Sequence, residues 1–508
     1  MLREVTILSM RYRLLAATAS VAFLAGCMAG PDYEPVEASQ LGVPQDWSVA
    51  APESLSPPPE ELVDWWRQFE DPILTRLIER AILGNTDLDV ALARLRQARE
   101  ALVVSRSALY PSVSGTAGYN RVEPLRGGGT AITQPDGTVV IAGGDGVDSF
   151  SLGLDASYQL DLFGGNRRAV QAGRAELEAS GFDYASTLRA VESEVARNYI
   201  LARAFQAQLA NALASVAIQD ENLQIAGWRV MAGLVSAVDE EQARASRAQS
   251  AATIPQIRQQ YNAAVTRIAV LTGQAPGAIR PLLEEPAPIP QGPERLGADI
   301  PADVLRRRPD VRAAERQLAA ATARIGVAKA QLYPNLAISG RVNTNAPDLS
   351  SLLDAITGNL FAGLTQSIFA GGRLAAQARS AEAAADGAFA SYRGTVLTAL
   401  EDVENAIVAL QSAEERETQF TIARDAALNS AIYARSQYRT GLTDFTTLNV
   451  QETALLSARN GLVQARADRA NALVALFDAL GGGWNPAGDY RDPLIISPLY
   501  GEPTEGQN

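Results

Sequence analysis

The residues that usually carry chemistry are nearly absent from this chain. It has no histidine and a single cysteine, Cys27, so a His/Cys zinc site, a histidine-based triad or an internal disulfide has nothing to be built from. Carboxylates holding a hard cation remain open in principle, yet there is neither a glycine-rich phosphate loop nor a tight Asp/Glu cluster. The expectation is no enzyme, no metal and no cofactor. One nucleophile, the Cys27 thiol, is left to explain.

Its setting explains it. Arg11 and Arg13 precede "LLAATASVAFLAGC", a basic region followed by a short apolar run and small residues, too short to span a membrane and typical of a secretory leader. Either Met1 or Met10 serves as its start. Leu24-Ala25-Gly26-Cys27 resembles a bacterial lipobox, which implies cleavage before Cys27 and lipid attachment to its thiol and new amine, palmitate included. Several acyl chains on one residue anchor a protein far more firmly than one. Met28 follows, not the aspartate that commonly retains such lipoproteins at the inner membrane. Losing residues 1–26 removes three arginines and one glutamate, deepening the net charge of −13 by two units. Nucleic acid is an unsuitable partner for that surface, and no later stretch is apolar enough for a membrane-spanning helix.

The elements around this anchor come in duplicate. Leu109-Tyr110-Pro111 recurs as Leu332-Tyr333-Pro334, and "LDLFGGNRRAVQAGRAE" (160–176) resembles "SIFAGGRLAAQARSAE" (367–382), matching Gly164-Gly165 to Gly371-Gly372. "AGLVS" (232–236) matches "TGLTD" (440–444). Each half reads helix, Leu-Tyr-Pro, alternating segment, loop, alternating segment, Gly-Gly, very long helix, Gly-Leu turn, long helix. Proline cannot continue the preceding helix and pushes the tyrosine before it toward extended geometry. The first repeat carries the longer loop, the glycine-rich 123–148.

After Pro111, Val113, Gly115, Ala117 and Tyr119 alternate with Ser114, Thr116, Gly118 and Asn120; the return puts Leu152, Leu154, Ala156, Tyr158 and Leu160 against Ser151, Gly153, Asp155, Ser157 and Gln159. In the second half Leu336, Ile338 and Val342 oppose Ala337, Ser339, Arg341 and Asn343, while Leu360, Ala362, Leu364 and Ile368 follow less regularly. Such alternation marks a strand with one face to lipid and one to a watery lumen; half-buried soluble hairpins would also show it. Four strands cannot close a barrel around water, and open edges in lipid go unsatisfied. Three copies would supply twelve strands.

Proline is absent from Arg168 to Met231 and from Arg373 to Arg439, and roughly 65 helical residues reach about 100 Å. Apolar residues recur at helical spacing at Val191, Val195, Tyr199, Ala202, Phe205, Leu209, Leu213 and Val216, while Leu448, Leu455 and Leu462 step by seven, as in a coiled-coil seam. Arg306-Arg307-Arg308, beside Pro309 and Asp310, reads as packing and local pairing at a helix start.

Taken together, "CMAGPDYEP", "WWRQFEDPILTRLIERAILGNTDLDVALARLRQAR" (65–99), "IPADVLRRRPDVRAAERQLAAATARIGVAKAQLYPNL" (300–336), the Phe-x-Gly-Gly junctions, "YRTGLTDF" (438–445) and "LGGGW" (480–484) resemble the outer-membrane efflux factors, the TolC-like, NodT-type lipoproteins that serve as exit ducts of resistance-nodulation-division (RND) multidrug pumps. The resemblance implies a mainly α protomer with four β-strands, closed in a homotrimer as a twelve-stranded transmembrane barrel continued by a coiled-coil helical barrel across the periplasm. It implies an outer-membrane location, a periplasmic adaptor and an inner-membrane RND transporter as partners, and passive export. The implied layout is leader 1–26, acylated extended segment 27–72, first repeat 73–273 (hairpin about 112–162, long helices about 168–273), equatorial linker 274–309, second repeat 310–481 (hairpin about 335–369, long helices about 373–480) and equatorial tail 482–508. Pro111, Gly164, Gly165, Pro334, Gly371 and Gly372 mark the helix–strand junctions.

In this family the Gly-Leu turns line the periplasmic mouth, which assigns gate and adaptor contact to Gly233, Asp239, Arg439, Gly441, Asp444, Thr446 and Val450, with Arg439, Asp444 and Asp239 as candidates for pairing. Many relatives read about Leu-Asp-Ala-Gln-Arg after the second turn; this chain reads "NVQET" (449–453). Val450 and Thr453 stand where a carboxylate and an arginine would be, so the expected constriction is apolar or hydrogen-bonded. The competing reading is a lipid-anchored periplasmic adaptor or spacer that conducts nothing.

Overall fold

The computed structural model describes residues 28–49, 62–122, 130–133, 139–142, 147–293 and 301–486. Cys27 and its leader, the tail 487–508 and most of loop 123–148 lie outside them. The chain forms two units: residues up to 34 with 98–176 and 317–388, and residues 35–97 with 177–316 and 389 onward.

The long elements come in matched pairs. Helices α3 (Thr86–Ser107) and α8 (Pro309–Ala330) have 22 residues each, α4 (Gly165–Met231) has 67 and α9 (Arg373–Thr440) 68, and α5 (Ala237–Leu271) and α10 (Phe445–Ala479) have 35 each. Shorter helices are α1 (Ala38–Leu41), α2 (Pro72–Gly84), α6 (Arg280–Leu283) and α7 (Pro301–Arg307). Pro255 lies inside α5 without ending it. The position is exposed, so water can satisfy the carbonyl that loses its donor.

Strands β1 (Ser112–Val122), β4 (Val147–Leu160), β5 (Asn335–Ala346) and β6 (Ile356–Thr365) form one antiparallel sheet in that order, all in the first unit. A separate ribbon, β2 (Thr130–Thr133) on β3 (Val139–Ala142), lies within the long loop. Strand β6 stops at Thr365, so Ile368, expected to continue the alternation, lies beyond the ladder and is fully exposed.

The core of the second unit gathers the short motifs. Trp65 stacks on Phe477 at 5.5 Å, and Trp484 donates to the Arg307 carbonyl at 3.0 Å. Gly481 is left-handed (φ 80°), and a side chain there would press on the Arg307 backbone at 3.2 Å, which fixes glycine in "LGGGW". Beside Trp65, burial drives the Glu192 carboxyl well above the usual range. Of the apolar stripes, Val191, Val195, Tyr199 and Ala202 are buried, as are Leu448, Leu455 and Leu462, but Leu213 is exposed and Ala212 buried in its place. A 3.6-residue helix drifts around its axis relative to a regular repeat, and the buried line moves with it.

Candidate functional site

The sheet has two unlike faces. Leu152, Leu154 and Phe150 stand opposite Ala117, Gly115 and Tyr119 on one side and Thr344, Val342 and Ala346 on the other, and Ile338 stands opposite Tyr158 and Ala362. Leu154 is 58% exposed, Val342 51% and Leu360 84%. No soluble fold leaves such a run of apolar side chains in water. The opposite face is a hydrogen-bonded polar surface: Arg341 on Asp155 at 2.5 Å, Ser112 on Ser157 at 2.9 Å, Ser149 on Asn345 at 2.6 Å and Thr357 on Asn343 at 3.0 Å.

The apolar face ends in aromatic rings. Tyr119 and Phe150 meet at 5.0 Å, with the Tyr119 hydroxyl donating to Asp148 at 2.7 Å and Arg121 paired to Asp148 at 3.2 Å. Past the other end, Phe163 stacks on Tyr333 of the second Leu-Tyr-Pro at 4.6 Å. From Phe150 to Leu160 a strand rises about 33 Å, which at the tilt of membrane barrels gives an apolar band about 25 Å tall. Strands β1 and β6 each have one edge without a partner among the described residues.

The junctions repeat in detail. Leu109 and Tyr110 bond back to Arg106 and Ser107, Leu332 and Tyr333 to Lys329 and Ala330, and the proline of each then opens a strand. The Gly-Gly pairs are not equivalent: Gly371 and Gly372 are both left-handed, whereas of Gly164 and Gly165 only Gly164 is. Contact is what constrains the first pair further. A side chain on Gly164 would reach within 2.8 Å of Met28, and one on Gly165 within 3.0 Å of Ala330.

That contact shows a clamp the sequence reading missed. Ala29 donates to the Phe163 carbonyl at 2.9 Å, and Gly30 lies backbone to backbone on Gly326. Arg168, 3% exposed, donates to the Ala29 and Gly30 carbonyls at 3.2 and 3.1 Å and to Asp32 at 2.7 Å. The residues after Cys27 are thereby held where strand β4 gives way to helix. Arg168→Ala strands two carbonyls, worth roughly 2–4 kcal/mol. Limited proteolysis should then release the segment 28–34 much faster than from the wild type, with the hairpins remaining intact.

In the second unit the hairpin tips match each other. Gly233 (φ 68°) donates to Val230 and Leu234 to Arg229; Gly441 (φ 78°) donates to Tyr438 and Leu442 to Gln437. Both are Schellman closures requiring left-handed glycine. Ser236 and Asp444 then cap α5 and α10, Asp444 accepting from the Thr447 amide at 2.7 Å. The bond to Thr447 holds its carboxyl below the ordinary value.

Arg229 lies 4.8 Å over the Tyr438 ring, and Tyr438 meets Phe445 edge-on. Of the expected charges, Arg439 pairs with Glu221 rather than with Asp444 or Asp239, and Asp239 sits in the first turn of α5. Glu452, 5% exposed, pairs with Arg435. Thr446, Val450 and Thr453 form an exposed stripe on α10 opposite the buried Phe445, Leu448 and Glu452. Leu234 and Leu442 protrude at the tips, 70% and 79% exposed. No group of residues suited to a metal occurs among those described.

A sheet with a lipid band on one face and polar groups on the other, continued by paired helices of more than sixty residues, defines a protomer of the outer-membrane channel class. Comparison with known proteins is more specific. The chain belongs to the outer membrane efflux protein family, whose sequence model matches residues 77–274 and 300–482. It is 32% identical over 447 residues, 88% of this chain and 92% of the relative, to the pyoverdine export outer membrane protein OpmQ of Pseudomonas aeruginosa. It is 29% identical to nodulation protein T of Rhizobium leguminosarum bv. trifolii, covering 91% and 96%. The solved outer-membrane channel OprN is similar at a TM-score of 0.77 and 32% identity, covering 90% of this chain and all of that one. The protein is therefore an outer-membrane efflux channel, and its family consists of transport proteins rather than enzymes.

Proposed function

We propose that three copies pair β6 of one with β1 of the next, closing a twelve-stranded barrel as the exit duct of a tripartite pump. The observation that carries this is the four-stranded sheet with two free edges and one lipid-compatible face, since an open edge in lipid is costly and closure removes it. Cys27, acylated, anchors the chain, one residue before the segment that Arg168 clamps. Protruding Leu234 and Leu442 at the tips suit contact with a periplasmic adaptor, and an inner-membrane RND transporter supplies the energy. Heat-modifiable trimers that conduct ions in planar bilayers would support the reading; a water-soluble monomer without conductance would favour the spacer, which has no use for a lipid face.

The gate reading rests on the stripe Thr446, Val450 and Thr453. With no charge on it, the constriction would be held by packing and hydroxyl bonds between copies. Exchanging Thr446 and Val450 together for alanine is expected to raise basal conductance several-fold, and an unchanged value in folded trimers would sink the idea. Anchoring has its own test, because Lys329 is the chain's only lysine. With Cys27 acylated on its amine, membrane-extracted Lys329→Arg protein should take up no amine-reactive dye. Labelling equivalent to one amine per chain would refute acylation of the Cys27 amine.

A further inference from the structure

The polar face of the sheet carries one aromatic residue among those described, Phe361. The sequence hides it between Leu360 and Ala362, where it reads as part of an apolar run. Register places it otherwise: Asn359 stands opposite Arg341, Phe361 opposite Ser339 and Gly363 opposite Ala337, whereas Leu360, Ala362 and Leu364 face Gly340, Ile338 and Leu336 on the lipid side.

The ring is 65% exposed. It lies along its own strand over Gly363, where a side-chain carbon would come within 2.5 Å of it, so only glycine leaves the ring room to lie flat. The row beside it holds Ser339, Ser157 and Ser112, none tall enough to cover it. One row away stands the Asp155–Arg341 pair.

We propose that Phe361 makes the water-facing side of the barrel a binding station for planar aromatic solutes in transit, an inference that rests on the three-copy barrel. Three copies place three such rings at one level of the lumen. A stacked aromatic pair favours flat solutes without holding them long, as a conduit requires, since a site must be left as readily as it is entered. Neighbouring serines leave the face of each ring free for stacking and offer hydroxyls to a polar substituent.

The test compares wild-type, Phe361→Ser and Phe361→Trp channels in planar bilayers, with naphthalene-2-sulfonate and cyclohexanesulfonate as probes. The naphthalene probe should interrupt wild-type current, about three- to ten-fold more weakly in Phe361→Ser, the range one aromatic pair supplies, and at least as strongly in Phe361→Trp; cyclohexanesulfonate should do little in any. Equal block of conducting wild-type and Phe361→Ser channels overturns the station and leaves the barrel standing. Phe361→Cys should also react with a charged, membrane-impermeant thiol reagent well above the wild type, and Leu360→Cys should not. The reverse pattern overturns the facing on which the station depends. Trimers that never conduct would bring down the channel reading, and this one with it.

Discussion

Replacing Leu154 by arginine should nearly abolish the protein in the outer membrane. Leu154 lies mid-strand in β4, on the lipid side, between Gly115 and Val342. Arginine near the bilayer midplane costs about 2–4 kcal/mol. In a trimer the cost recurs in each copy, and the sum approaches the whole stability of a typical fold. Thr116→Arg is the control: Thr116 faces Gly153 on the polar side, where a long cation reaches water, so the amount of trimer should hold and only ion selectivity should change. Immunoblots of outer-membrane fractions, heated and unheated, give the answer. Equal loss from both variants would refute the assignment of the faces.

The faces were legible because a strand's period is two and lipid tolerates few polar side chains, so Leu152 to Leu160 almost write the sheet by themselves. The glycine turns were legible too, since left-handed closure leaves few alternatives at Gly233 and Gly441. What the sequence concealed depends on register between distant segments. Arg439 finds Glu221 and Arg435 finds Glu452 across helices whose relative rotation no local spacing records. Arg168 looked like an ordinary helix start because its partners lie more than a hundred residues earlier. Phe361 was masked by its neighbours, and only pairing with Ser339 puts it on the polar side.

Arg308→Ala should cost the second unit about 3 kcal/mol at neutral pH, the low end for breaking a buried ion pair. The guanidinium, 4% exposed, donates twice to Asp310, at 3.1 and 2.6 Å, and to Asp402 at 2.9 Å, and reaches the Ala399 and Ala479 carbonyls. Without it Asp310 keeps Arg189 at 3.7 Å and the Val311 amide at 3.0 Å, which limits the loss; Asp402 is half exposed. Acidification reveals the cause. Burial would raise the Asp310 carboxyl, but the bonds and charge of Arg308 outweigh it and hold the group below its ordinary value. A depressed carboxylate stabilises the fold above its unfolded pKa, near 4, and loses that contribution as pH falls through the folded one. The gap in unfolding midpoint between wild type and variant should therefore be full at neutral pH and narrow in acid. Arg306, 78% exposed in its pair with Asp303, should tolerate alanine within about 1 kcal/mol. A triplet that bound phosphate or nucleic acid would instead lose ligand on either change without this pH signature, and the buried position of Arg308 assigns it to the packing of the second unit.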